Sequence, residues 1–131
     1  MRKVSIVGAG LSQFGERWDA SFREMMFEAA SAALEDARME GKDIQALYGG
    51  TMAPGSLLGQ EHIGALLADQ LGLNPIPSTR VEAACASGGV ALRCGYLAIA
   101  SGMYDVVAVG GVEKMTEVST EEVSFALGGA G

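Results

Sequence analysis

Residues 81–109 constrain this chain more than any other stretch. A short β-prone run ends at Cys85, Ser87-Gly88-Gly89 follows, residues 90–103 carry one charge, Arg93, and residues 105–109 are again β-prone. That order predicts strand, cysteine turn, buried helix, strand, with a thiol standing at a helix N-terminus. Unpaired backbone N–H groups and the positive end of the macrodipole favour an anionic thiolate there, which is the nucleophilic form of cysteine. Cys85 is therefore the first candidate for chemistry. Residues 88–102 are apolar or small on every face except at Arg93 and Tyr96, so the helix is expected to be buried on all sides between two layers. Cys94 falls inside that helix and reads as a small inert hydrophobe. At 1.5 Å per residue the two thiols would stand on the order of 13 Å apart, beyond disulfide reach, so both are expected free.

The rest of the chain supplies a domain around this unit. With 131 residues, 49% hydrophobic and 19% charged, it is long enough for one domain with a real core and too short to expect two. The formal charge is -7 and the basic residues are scattered, which excludes an electrostatic footprint for nucleic acid or anionic lipid. Residues 1–8 hold two basic residues and only a few β-prone ones before Gly8, far short of a signal-peptide core. The most apolar window, residues 83–103, is broken by Arg93 and rich in Gly, Ala and Ser, a poor membrane span. A cytoplasmic location follows by default.

Taken in order, residues 3–7 alternate loosely and are β-branched, and predict a buried first strand ending at Gly8-Ala9-Gly10. The third glycine of a dinucleotide-binding G-x-G-x-x-G would fall at Gln13, and no acidic residue closes a second strand about twenty residues on, so a plain strand-to-loop turn is preferred. Ser21 and Glu24 have capping-box spacing, and Phe22, Met25, Met26, Ala29, Ala30, Ala33, Leu34 and Ala37 form the stripe of an amphipathic helix that Gly41 ends. The paired methionines fit a core-filling role better than a pliable binding surface. A short strand stops at Gly49-Gly50, residues 51–60 read as a loop, residues 61–71 as a helix closed by Gly72, and a third strand begins near Ser78. His62 is the only histidine. A Cys–His pair would be the simplest way to activate the thiol, but a lone histidine at a helix start reads better as a surface or interface residue. No second ligand stands near it, so no metal site is expected.

At Ala84-Cys85-Ala86-Ser87-Gly88, followed at the end of the next strand by Gly110-Gly111-Val112-Glu113-Lys114-Met115-Thr116, the sequence closely resembles the thiolases. The cysteine motif is shared with other condensing enzymes such as ketoacyl synthases, while the paired Gly-Gly-x-Glu-x-Met points to thiolases. Val81-Glu82-Ala83-Ala84 before Cys85 looks like the archaeal and sterol-carrier-protein-type branch. Gly59-Gln60 also fits a thiolase loop, although Glu61-His62-Ile63-Gly64 follows where many members carry Asn-Pro-Ala-Arg.

The resemblance implies an α/β fold with a mixed sheet and a buried helix after the nucleophile cysteine, layered αβαβα in the complete enzyme, of which this chain matches the N-terminal half. It implies residues 1–116 as the core half and residues 117–131 as the start of a truncated loop domain. It also implies Cys85 as the acyl-accepting nucleophile, its own backbone N–H helping to form an oxyanion hole, and ping-pong chemistry converting two acetyl-CoA to acetoacetyl-CoA or the reverse. Such activity serves mevalonate precursor supply or acyl chain breakdown. No cofactor is implied beyond coenzyme A thioesters as substrates, and the coenzyme A-binding residues are not assignable. The activating histidine, the Gly-His-Pro histidine and the second acid/base cysteine of thiolases have no match here, and His62 does not stand at a matching position. Little turnover is therefore expected of the isolated chain. Homodimers or dimers of dimers are implied, pairing across residues 78–83 with Arg80 and Glu82 as interface charges. The alternatives are a non-catalytic thiolase-like scaffold or partner subunit, and another condensing enzyme such as a hydroxymethylglutaryl-CoA synthase.

Overall fold

The computed structural model describes residues 2–130. The chain runs α1 (Phe22–Ala37), β1 (Ala46–Gly50), α2 (Pro54–Leu58), α3 (Ile63–Gln70), β2 (Ser78–Val81), α4 (Ser87–Ala100), β3 (Val107–Gly111) and α5 (Thr120–Gly128), with 3-10 turns at Gly41–Asp43 and Ala84–Ala86. The strands form one sheet in the order β2-β1-β3. Both pairings are parallel, Leu47 lying opposite Ser78 on one side and Ala108 on the other.

Alternation along β1 sorts the layers, because successive residues of a strand face opposite sides. Leu47 joins Phe22, Met26, Ile44, Ile63, Leu67 and Leu73 in the main core between the sheet and helices α1 and α3. Burying side chains such as Ile63 and Leu67 contributes about 1.5–3 kcal/mol each. On the opposite face α4 lies so close that a Cβ at Gly95 would stand 2.5 Å from a methyl of Val109. Two parallel crossovers leave β1 and β2 in opposite directions, and with right-handed connections this puts α3 on one face and α4 on the other. The sheet is thus wholly parallel among the described residues, where a mixed one was expected.

Three further expectations are corrected. Residues 3–7 form no strand, and Ile6 and Val7 are 77% and 60% exposed. The N-terminal segment lies instead across α1, where the Ala9 N–H donates to Asp36 at 2.9 Å and the Gln13 N–H to Glu28 at 3.3 Å. Between this segment, α1 and the sheet lies an apolar cavity of about 410 Å³. Nor is α4 buried all round: Ala91, Gly95 and Ala98 lie against the sheet, while Leu92, Tyr96 and Leu97 are 51%, 47% and 41% exposed, because a single sheet covers only one face. The end of α1 is set by Arg38 in the left-handed region (φ 54°), not by Gly41, which opens the following 3-10 turn.

One helix, α2, appears where loop was expected, and α5 lies in the segment expected to begin a loop domain. α2 starts with Pro54 at its first position, and α5 is closed by Ser119 and Glu122 in a capping box. Among the described residues no helix is long and apolar enough to cross a membrane.

Candidate active site

The carboxyl ends of the parallel strands gather the residues singled out by sequence. In open α/β sheets, ligands are bound outside these ends, where successive crossovers diverge. Here β1 is the point of divergence, and the turn carrying Cys85 leaves the end of β2 toward the start of α4, which sits over the end of β1.

Backbone geometry makes the turn abrupt. Ala84 is held at φ 49°, a conformation costly for a residue with a Cβ, and Ala84–Ala86 form a 3-10 turn that runs straight into α4. Ser87 holds it closed: its buried hydroxyl accepts from the Ala83 N–H at 2.9 Å and donates to the Ala84 carbonyl at 2.6 Å. Glu82 accepts from the Ala84 N–H. Cys85 is thereby presented exposed at the tip, and Cys94 is half-buried in α4, both free thiols as expected. Burial raises the Tyr48 phenol above its ordinary range, with Tyr104 and Cys94 as neighbours.

The first turn of α4 is open. Its N-cap residue is Ala86, with no side-chain capping bond, and a Cβ built at Gly88 or Gly89 would meet nothing within 4 Å. Beneath it the fit is tight. A Cβ at Gly50 would stand 2.7 Å from the Ser87 carbonyl carbon and oxygen, so only glycine lets the end of β1 carry the start of this helix.

The loop after β1 is fastened to the segment after β3. The Glu113 carboxylate accepts from the Thr51 hydroxyl at 3.2 and 3.3 Å, from the Met52 N–H at 2.7 Å and from the Ala53 N–H at 3.3 Å. Arg80 donates to the Met52 carbonyl at 2.7 Å and pairs with Glu61 at 3.2 Å. Lys114 is buried, donates to the Arg17 carbonyl at 2.9 Å and pairs with Glu117 at 2.8 Å. Hydrogen bonds from Arg17 hold the Asp19 carboxyl below its ordinary range, and those same bonds, with ones to Glu28, raise the Arg17 guanidinium.

Sequence reasoning found Cys85 but assigned no role to Ser87 or Glu113. The Ser-Gly-Gly directly after the cysteine was the available signal for Ser87. Arg80 and Glu82 both make bonds within their own chain. His62 occupies the N-cap position of α3, is exposed, and its N–H donates to the Gln60 side chain at 3.0 Å. No hydrogen bond among the described residues joins it to Cys85. The apolar cavity beside α1 has no lining residue from the Cys85 turn. Among the described residues no group of three or more His, Cys, Asp or Glu converges as metal ligands.

Known proteins of similar sequence agree over nearly the whole chain. A family described as "Thiolase, N-terminal domain" matches residues 4–128. The chain is 58% identical over 118 residues, 90% of its length, to an acetyl-CoA acetyltransferase of Methanothermobacter thermautotrophicus. It is 56% identical over 128 residues, 96% of its length, to one of Methanocaldococcus jannaschii. It spans 31% and 33% of those two proteins, about a third of each. Among solved structures, the 3-oxoacyl-[acyl-carrier-protein] synthase III of Aquifex aeolicus superposes with a TM-score of 0.59 at 19% identity, covering 74% of this chain and 40% of that one, a likeness of fold.

Proposed function

The chain belongs to the thiolase family, and from that premise we propose that it is the nucleophile-bearing part of an acetyl-CoA acetyltransferase, with Cys85 as the acyl acceptor. One observation carries the reading: an exposed thiol stands on a turn that runs into a helix whose first turn is open and uncapped.

In this reading the Cys85 thiolate attacks the thioester carbonyl of acetyl-CoA. The new C–S bond forms at Sγ, the bond to the coenzyme A sulfur breaks, and coenzyme A leaves as a thiolate that takes up the proton Cys85 gave up on ionising. The negative oxygen of the tetrahedral intermediate is stabilised in part by the backbone N–H of Cys85 itself, which needs no reorganisation when charge develops. A second acetyl-CoA then loses an α-proton, its enolate carbon attacks the acetyl carbonyl on Cys85, and the thiolate is released with acetoacetyl-CoA. Thiolysis is the same sequence reversed.

The base that takes the α-proton comes, in this proposal, from outside residues 1–131, since no hydrogen bond among the described residues joins His62 to Cys85 and the relatives are about three times as long. The exposed apolar face of α4 then meets a second layer in the complete αβαβα arrangement, and the free edge of β2 pairs with a second copy along residues 78–83. Coenzyme A thioesters are the only small molecules proposed, with no metal or cofactor, in the cytoplasm.

The half-reaction is testable by itself. In the intact protein carrying this chain, labelled coenzyme A is expected to exchange into acetyl-CoA without any second substrate, and Cys85→Ala is expected to abolish that exchange. Exchange that persists in the variant would overturn the assignment. Residues 1–131 alone are expected to give little acetoacetyl-CoA.

A further inference from the structure

We infer that Glu113 is a positioning residue for Cys85, acting across the ends of all three strands; this rests on the reading of Cys85 as the acyl acceptor. The loop at Thr51–Met52–Ala53 is gripped from two sides. On one side, all four of its hydrogen bonds to Glu113 run from donors to the carboxylate: the Thr51 hydroxyl and the N–H groups of Met52 and Ala53. On the other, the Thr51 N–H donates to the Val81 carbonyl at 3.2 Å and the Met52 carbonyl accepts from Arg80 at 2.7 Å. Val81 ends β2, four residues before Cys85.

The consequence is a mechanical line from the end of β3, through a buried Thr51, to the last residue of the strand that aims the cysteine turn. A carboxylate suits this position because it accepts at both oxygens and donates at neither. Glutamine keeps the shape but replaces one oxygen by an NH₂ group, which would face an N–H donor. The loop must then shift, and the exit of β2 shifts with it. Displacements of that scale move a nucleophile out of line without altering how substrate is held elsewhere.

The test is pre-steady-state acetylation of the intact protein by acetyl-CoA, read as burst rate constant and burst amplitude. No burst in the wild type would overturn the nucleophile reading itself. With a wild-type burst that Cys85→Ala removes, Glu113→Gln is expected to lower the burst rate constant per competent site about tenfold while the acetyl-CoA KM stays within about twofold. A role confined to holding the fold would reduce the amplitude and leave the rate constant at the wild-type value, and that result overturns the inference. Should Glu113→Gln fail to fold, Thr51→Val carries the test. It removes the hydroxyl donor and keeps both N–H contacts, so a fall of about threefold in the rate constant is expected, and a wild-type rate constant overturns the inference.

Discussion

Helices α1 and α4 begin in opposite ways. At the start of α1, Ser21 accepts from the Glu24 N–H at 3.3 Å while Glu24 accepts from the Ser21 N–H at 2.7 Å, so two orphan donors are satisfied reciprocally. The same box recurs at Ser119 and Glu122 before α5. At the start of α4 the N-cap is Ala86, no side chain caps it, and the preceding Ala84 is held at φ 49°. Helices α2 and α3 also start without a side-chain cap, so what sets the start of α4 apart is the left-handed Ala84 and the exposed thiol beside it. The Ala86 N–H donates to the Ala83 carbonyl and the Ser87 N–H to the Ala84 carbonyl, and the unfavourable left-handed Ala84 persists because the surroundings over-determine it: Ser87 closes the turn from within and Gly50 seats it from below.

The largest effect is expected where the seat is filled. Gly50→Ala puts a methyl 2.7 Å from backbone atoms of Ser87 that have no side-chain freedom to give way. Overpacking of this kind destabilises by about 1–3 kcal/mol, and the denaturant midpoint should fall at unchanged slope while Cys85 acetylation is lost. Next comes closing the open end electrostatically. Ala86→Asp sets a carboxylate beside the thiol, and a like charge there should slow alkylation of Cys85 by iodoacetamide about tenfold, with the fold intact by circular dichroism.

Removing a box from the other class of helix should do the reverse. Ser21→Ala and Ser119→Ala are each expected to lower stability by about 1 kcal/mol and to leave the alkylation rate of Cys85 unchanged. Smallest is the response of the boxes to acid. Bonds to Ser21 and Ser119 hold the carboxyls of Glu24 and Glu122 below the ordinary 4.5. Groups depressed on folding contribute stability that is present above the unfolded value and lost as pH falls through the folded one. Amide exchange at Glu24 and Glu122 should therefore accelerate, beyond its intrinsic pH dependence, only below about pH 4.5, while the open start of α4 shows no such step.

How much of this was readable from sequence follows from the range over which each signal acts. The α1 cap, the free thiols and the Cys85 turn are written within a few adjacent residues, and all three hold in the structure. The α5 cap is equally local, as Ser119-x-x-Glu122 before Val123, Ala126 and Leu127, although the glycines that follow disguise the helix. Residues 3–7 have strand propensity, but propensity is a local preference, and the bonds that place the segment after them run to α1, from Ala9 to Asp36 and from Gln13 to Glu28. The apolar circumference of α4 predicts burial on all sides, yet burial depends on a second layer that these residues do not form. Glu113 is marked by the Gly-Gly-x-Glu-x-Met motif, but what it holds lies out of reach, because its partners are 60 to 62 residues away in sequence.

The most direct measurement is the intact mass of the whole protein after mixing with acetyl-CoA, followed by mapping of the modified peptide. A single acetyl group on Cys85, absent from Cys85→Ala and removed on adding free coenzyme A, is the expected result. An acetyl adduct of equal stoichiometry that survives Cys85→Ala would contradict Cys85 as the acyl acceptor.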